Sequence, residues 1–274
     1  MATWNIIRTI DEGGFGKVYE VKSTTGQRGA LKELLRPDPE RIKRFVREIG
    51  IIQSLNHSNI VNILDSNING NPPNMGPWYV MEYMAGSSLK NKMYDMFNVR
   101  KGLFSQKWAL GNVILPVAKA LQLAHASTIY HRDIKPANLL FTEQNQIKVA
   151  DWGIGKDVNK ESIKLTMGGI GTSGYCSPEQ WFHPSNFGEV DQKTDIYSLG
   201  IVFYEMMTGK IPSVYNDISG QRYNVPTPSS QNHSSISSEL DNAILKMIAI
   251  NQNDRYQNLQ QVISGLTVIF NKLP

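Results

Sequence analysis

The chain has 274 residues, 41% hydrophobic and 19% charged, with a formal net charge of +4. That length supports one large core or two modest lobes, and the composition excludes disordered and fibrous classes. A single cysteine, Cys176, excludes an internal disulfide and a cysteine-based metal site, which fits a reducing cytoplasm. The charge is spread along the sequence, with a mild cluster at Arg36, Arg41, Lys43, Arg44 and Arg47. No aromatic residues interleave with it, so a solvated helix face is expected there and nucleic-acid binding is not. No apolar run approaches the roughly 18 residues of a membrane span, the amino terminus reads as strand, and Ala2 excludes N-myristoylation. A soluble, cytoplasmic chain is the expectation.

In chain order, Trp4 to Ile10 and Lys17 to Lys22 read as strands around a glycine-rich turn, and Gly29 to Leu34 as a third strand. From Pro39 to Leu55 the apolar residues Ile42, Phe45, Val46, Ile49, Ile52 and Leu55 recur at helical spacing behind two prolines. Ile60 to Leu64 and Trp78 to Glu82 read as two more strands, separated by the Asn/Gly/Pro-rich loop Asn67 to Pro77. Beyond Gly86 the pattern is mostly helical: Lys107 to Ser127, Thr194 to Thr208, Ser238 to Ile250, and a shorter helix around Leu259 to Phe270. Ser87 to Gly102 and the polar stretch Gly220 to Ser237 read as loops. No internal repeat is present.

The most informative run is Tyr130-His131-Arg132-Asp133-Ile134-Lys135-Pro136-Ala137-Asn138-Leu139-Leu140, followed by Asp151-Trp152-Gly153. It places a carboxylate, a cation and oxygen ligands for metal close together in sequence. Phosphoryl transfer needs that set, because the protein mainly positions the reactants and neutralises charge on the transferred group. The run resembles the catalytic loop of eukaryotic-type Ser/Thr protein kinases, and the Ser177-Pro178-Glu179-Gln180 and Asp195-Ile196-Tyr197-Ser198-Leu199-Gly200 runs look most like bacterial members. The resemblance extends from about Trp4 to Phe270. It implies an α+β, bilobal kinase fold over residues 1–274: a small antiparallel β lobe with one main helix (1–84) and a larger, mostly helical lobe (85–274).

By that resemblance Asp133 orients the substrate hydroxyl and accepts its proton, Lys135 neutralises the γ-phosphate, and Asn138 and Asp151 hold Mg²⁺ or Mn²⁺. Lys32 would reach the α- and β-phosphates of ATP, oriented by Glu48 from the helix of the small lobe. Gly13 and Gly16 would let backbone amides close over phosphates without Cβ interference. The family's first loop glycine falls at Asp11. A strand after the turn, where the dinucleotide fingerprint needs a helix, excludes that fold. Val18, Ala30 and Leu140 would sandwich the adenine, backbone groups of Glu82 and Met84 would bond its edge, and Met81 would stand as gatekeeper. Trp152, replacing the family's Phe, would join Ile52, Ile63 and His131 in a column between the lobes. Glu179 would pair with Arg255, and Asp195 would cap the catalytic-loop backbone. His125, His183 and His233 have no partner spacing and read as packing or surface residues.

Lys135, together with Thr172 at the position that contacts the catalytic Asp and Lys, implies Ser/Thr acceptors on protein substrates. Arg132 puts a cation beside Asp133; with Arg44, four residues before Glu48, and Lys156, it could receive a phosphate on Thr166 or, second, Ser162. Self-association for autophosphorylation in trans would supply that phosphate. The alternative reading is a pseudokinase, a nucleotide-binding or scaffolding module, which rests on Asp11 and Trp152 alone.

Overall fold

Five strands form one antiparallel sheet in the order β1-β2-β3-β5-β4: β1 is Trp4–Glu12, β2 Gly16–Ser23, β3 Arg28–Leu34, β4 Ile63–Asn67 and β5 Trp78–Glu82. The structure is a computed structural model and describes residues 3–13, 16–69, 75–152, 173–181, 188–212 and 236–274. Strand alternation sorts the side chains. On one face Leu31 packs with Val21 and Val80, and on the other Leu34 and Tyr79 pack against Phe45 and Ile49 of the helix α1 (Pro39–Ser54).

Helix α1 starts where the sequence says it should. Asp38 caps it by accepting from the Arg41 N–H at 2.9 Å, and Pro39, with no N–H to satisfy, sits in the first turn. Its buried face is Phe45, Glu48, Ile49 and Ile52, at the spacing of one helical stripe, so the only carboxylate in the stripe is carried inward. Each fully buried apolar side chain of this kind stabilises by about 1.5–3 kcal/mol.

The larger lobe is built around α6 (Gln192–Thr208), preceded in chain order by α2 (Leu89–Tyr94), α3 (Gln106–Ala109), α4 (Leu115–Ala126) and α5 (Pro178–Trp181), and followed by α7 (Ser238–Met247) and α8 (Leu259–Lys272). Helix α6 is buried on nearly every side, as its all-round apolar sequence demands. Asp191 caps its start, and Gly209, at φ +72°, ends it in the left-handed conformation. Packing is close enough that a Cβ on Gly200 would meet Ile248 Cγ2 at 2.6 Å and Met247 Cβ at 2.7 Å. The main core also takes in Ile52, Leu55 and Ile60 from the smaller lobe's side, so the lobes share one apolar interior.

The bilobal α+β architecture agrees with the sequence reading, with four local corrections. Ser87 to Gly102 is not a loop throughout: Ser88 caps α2, which buries Leu89 and Met93, and a π-turn follows at Asp95–Val99. The helix expected over Lys107 to Ser127 contains a π-turn at Leu110–Ile114, directly before Pro116, which supplies no N–H to the preceding turn. The fourth strand begins at Ile63, because Ile60 and Val61 pair instead with Val149 of the larger lobe. A hairpin of β6 (Leu139–Phe141) and β7 (Ile147–Val149) carries the link between the catalytic loop and Asp151, where the sequence reading had placed no strand. No helix among the described residues is long and apolar enough to cross a membrane.

Candidate active site

Lys32 stands on β3, directly opposite Tyr79 of β5. Its Nζ lies 2.8 Å from Glu48 Oε1 and 2.7 Å from Asp151 Oδ1, joining the sheet, helix α1 and the larger lobe at one atom. The Tyr79 hydroxyl donates to the same Glu48 oxygen at 2.8 Å, which fixes the carboxylate that fixes the lysine. Burial opposes the charge on Lys32, but Asp151 and Glu48 outweigh it and hold the ammonium well above the ordinary lysine range. Burial raises the Glu48 carboxyl against the pull of Lys32. The Asp151 carboxyl is driven the other way, far below the carboxylate range, by Lys32. Among the described residues the second Asp151 oxygen has no bond, and the side chain is 45% exposed.

The catalytic loop is held from beneath. Asp195, at the first turn of α6 and fully buried, accepts from the His131 N–H at 2.8 Å and the Arg132 N–H at 2.7 Å, and bonds His125 Nε2 at 2.8 Å. Arg132 is thereby kept at φ +63°, a left-handed backbone that non-glycine residues avoid. Beyond it, Lys135 Nζ and Asn138 Nδ2 both reach Asp133 Oδ2, at 2.9 and 3.1 Å, and Asn138 Nδ2 also donates to the Asp133 carbonyl at 2.9 Å. The Ala150 N–H bonds the Asn138 carbonyl at 2.9 Å, which brings the residue before Asp151 onto the loop. Trp152 is fully buried and stacks obliquely on His131 at 4.9 Å, in the core that includes Ile52 and Ile63. Its indole Nε1 and the Nε of Arg132 are buried without hydrogen-bond partners among the described residues. Behind the loop, Arg255 and Glu179 form a fully buried two-pronged pair at 2.8 and 2.9 Å.

The slot between the lobes is lined as alternation requires. Val18 is paired with Lys32, and Ala30 with Met81, so all four share the sheet face that carries the lysine. Gly13 and Gly16 close the β1–β2 turn by a 2.9 Å backbone bond, and a Cβ on Gly16 would lie 2.8 Å from the Glu33 carbonyl. Asp11 Oδ1 accepts from the Glu12 N–H at 2.9 Å, while Glu12 pairs with Lys17 at 2.9 Å. The N–H of Glu82 is committed to the Asn62 carbonyl, and its side chain turns to Lys148 at 2.6 Å and Asn62 at 3.0 Å. Met84 follows, and Leu140 sits on β6 beneath. Gly86 ends the connection: its N–H bonds the Phe141 carbonyl at 2.9 Å, and a Cβ would lie 2.3 Å from the Thr142 carbonyl.

Lys32, Glu48, Asp133, Lys135, Asn138 and Asp151 are thus brought together. Arg44 lies half-buried on α1, and Arg132 adjoins Asp133. Lys156, Ser162, Thr166 and Thr172 lie outside the described residues, as do Gly153, His183 and His233. Sequence reasoning missed Tyr79, Asn62, Lys148 and the bond of His125 to Asp195. For Tyr79 a signal existed: by the period of two in β5 it shares a strand face with Met81 and carries a hydroxyl there. Among the described residues no three His, Cys, Asp or Glu side chains converge as a metal cluster. Asn138 and Asp151 are hard oxygen donors, which suits Mg²⁺ or Mn²⁺ completed by phosphate oxygens and water.

Residues 4–265 match the family described as the protein kinase domain. Among curated relatives, a protein named "Probable serine/threonine-protein kinase" from Clostridium perfringens is 33% identical over 97% of this chain and 38% of its own length. Serine/threonine-protein kinase PknB of Mycobacterium tuberculosis is 33% identical over 96% of this chain and 42% of its own. A second clostridial protein, from Clostridium acetobutylicum and again named as a probable serine/threonine-protein kinase, is 33% identical over 98% of this chain and 40% of its own. The chain therefore spans about two-fifths of the length of these relatives.

Proposed function

The chain belongs to the protein kinase domain family, and from that premise we propose that it is an active Ser/Thr protein kinase, with lobes over residues 1–84 and 85–274. The observation that carries the reading is the double pairing of Lys32 with Glu48 and Asp151 in the same structure that clusters Asp133, Lys135 and Asn138. The pseudokinase reading rests on Asp11, which bonds the Glu12 N–H, and on Trp152, which is buried against His131, and neither disturbs these two clusters. ATP enters the slot with its adenine between Val18, Ala30 and Leu140, bonded by backbone groups of Glu82 and Met84, with Met81 behind it. Gly13 and Gly16 close over the phosphates. Lys32 holds the α- and β-phosphates as a fixed cation.

Asp133 orients a Ser or Thr hydroxyl of a protein substrate in line with the γ-phosphorus. The new P–O bond forms as the bond to the ADP oxygen breaks, the hydroxyl proton passes to Asp133, and Lys135 neutralises charge on the transferred group. Asn138 and Asp151 would hold a Mg²⁺ or Mn²⁺ ion, which when bound would add charge neutralisation at the phosphates. Arg132, with a buried Nε lacking a partner among the described residues, suits a phosphate on Thr166 or, second, Ser162. Arg44 and Lys156 assist it, and autophosphorylation in trans between two copies supplies the group. Thr172 works with Asp133 and Lys135 in favouring Ser/Thr acceptors.

The test is incubation of the purified chain with labelled ATP and Mg²⁺ and a generic protein acceptor, followed by mass spectrometry and phosphoamino-acid analysis. Phosphoserine and phosphothreonine are expected, and Asp133→Asn should abolish them while still binding ATP. Predominant phosphotyrosine would overturn the acceptor assignment, and label transfer undiminished in Asp133→Asn would overturn the role of the carboxylate.

A further inference from the structure

Glu20 of β2 is a buried carboxylate that the transfer reaction does not use. Its side chain is 6% exposed, although it occupies the strand position two residues beyond Val18 and opposite Ala30. It therefore lies on the slot-facing side of the sheet, at the outer end of the adenine site. Three side chains converge on it through four hydrogen bonds. Arg28 of β3 donates to Oε1 through Nη2 at 2.6 Å and Nε at 3.1 Å. Arg8 of β1 donates to Oε2 through Nε at 2.9 Å, and the Tyr83 hydroxyl donates to the same oxygen at 3.1 Å. Arg8 Nη2 in turn donates to the Tyr83 oxygen at 3.2 Å, and the Arg28 guanidinium lies 4.1 Å over the Tyr83 ring.

The arrangement connects three neighbouring strands to one residue of the connection between the lobes. Tyr83 stands between Glu82 and Met84, whose backbone groups face the adenine edge in the proposed ATP complex. Val18 and Ala30, which cover the ring, belong to the strands that supply Glu20 and Arg28. Fixing the Tyr83 side chain to Glu20 therefore fixes the distance between the roof of the slot and its polar edge. A carboxylate is required for this. It alone can accept from two guanidinium groups and a hydroxyl together, and two arginines facing a neutral side chain would repel each other.

From this geometry we propose that Glu20, acting through Arg8, Arg28 and Tyr83, is a positioning residue that sets the height of the adenine slot and so the affinity for nucleotide. The inference rests on the kinase reading, since it concerns the same slot.

The test measures ATP binding directly by calorimetry with Mg²⁺ present, alongside steady-state kinetics, for wild type, Glu20→Gln, Tyr83→Phe and the double variant. Glu20→Gln should weaken ATP about tenfold and Tyr83→Phe about threefold, as expected for one or more hydrogen bonds to a charged group. The double variant should resemble Glu20→Gln alone, because the groups act as a unit. The loss should appear in the KM for ATP, with kcat and the KM for the protein acceptor changed less than twofold. Asp95→Asn, which breaks an exposed pair with Arg100, serves as the control and should leave ATP affinity as it is. If Glu20→Gln does not fold, Tyr83→Phe, which keeps the ring, carries the test. Wild-type affinity in Tyr83→Phe, or equal losses for ATP and acceptor, overturns the proposal while leaving the kinase reading intact. Failure of the wild type itself to bind ATP overturns both.

Discussion

Replacing Asp195 tests whether the catalytic loop owes its shape to one buried carboxylate. Asp195→Ala removes the acceptor of the His131 and Arg132 N–H groups and of His125 Nε2. A buried donor left unsatisfied costs about 1–3 kcal/mol, so the three would sum to about 3–9 kcal/mol if independent. They share one network, and water can enter the vacated space, so a loss of about 3–5 kcal/mol is expected. The left-handed backbone of Arg132, which costs about 1–2 kcal/mol in a non-glycine residue, then relaxes and carries Asp133 out of position. Activity should fall by about 10² or more, beyond what loss of folded protein explains. Titration adds an independent check. Burial opposes ionisation of Asp195, but the bond from His125, the nearby His131 and the Arg132 N–H outweigh it and lower the carboxyl below its ordinary value. A folded-state value below the unfolded one means that the unfolded chain binds more protons. The stabilisation is therefore present above about pH 4 and lost as pH falls through the folded value. Urea denaturation between pH 3 and 6, in roughly half-unit steps, should show a steeper acid loss for wild type than for Asp195→Asn. A loss under about 1 kcal/mol in Asp195→Ala, with unchanged kcat, would refute the reasoning.

Lys32→Met should lower kcat by about three orders of magnitude or more in steady-state transfer assays, because it removes a charge used in the transition state. Thermal unfolding should also register the Glu48 and Asp151 carboxylates left without their shared cation. Met81→Gly should accept ATP analogues enlarged at N6 that the wild type excludes; equal use of such an analogue by both proteins would mean that Met81 does not wall off the pocket. Arg255→Met leaves Glu179 charged and fully buried, and should destabilise by about 3–5 kcal/mol in urea denaturation. Pairing it with Glu179→Leu should recover some of that loss.

The pairings legible in the sequence were those written as short runs with a chemical reason for each residue. The pairing of Glu48 with Lys32 was implied by the resemblance to the kinase family, and the structure has them in contact, with Glu48 on the buried stripe of α1. Asp195 was expected from the same resemblance to cap the catalytic-loop backbone, and the structure supplies it with the His131 and Arg132 N–H groups and with His125 Nε2. Glu179 and Arg255 are joined as the sequence reading expected. The Glu20 cluster was not legible. Its members are separated by up to 75 residues, and each is an ordinary strand or loop residue until the sheet brings them together. The β6–β7 hairpin escaped because strands of three residues are too short to show a period of two. Ile60 and Val61 misled for a related reason: an apolar pair reads the same whether it joins its own sheet or docks on another lobe.

Two segments of the chain dock on the β6–β7 hairpin, and one lysine of that hairpin holds both. One is the segment after α1, where the Val61 N–H bonds the Val149 carbonyl at 3.0 Å and the Val149 N–H bonds the Asn59 carbonyl at 2.8 Å. The other is the stretch from Glu82, tied to Lys148, to Gly86, tied to Phe141. Both meet at Lys148, whose Nζ donates to the Ile60 carbonyl at 3.4 Å and to Glu82 at 2.6 Å, while the Glu82 N–H bonds the carbonyl of Asn62, next to Val61. The ammonium is thus a rivet through three layers: removing it would loosen the segment after α1 and the connection between the lobes together, not one at a time.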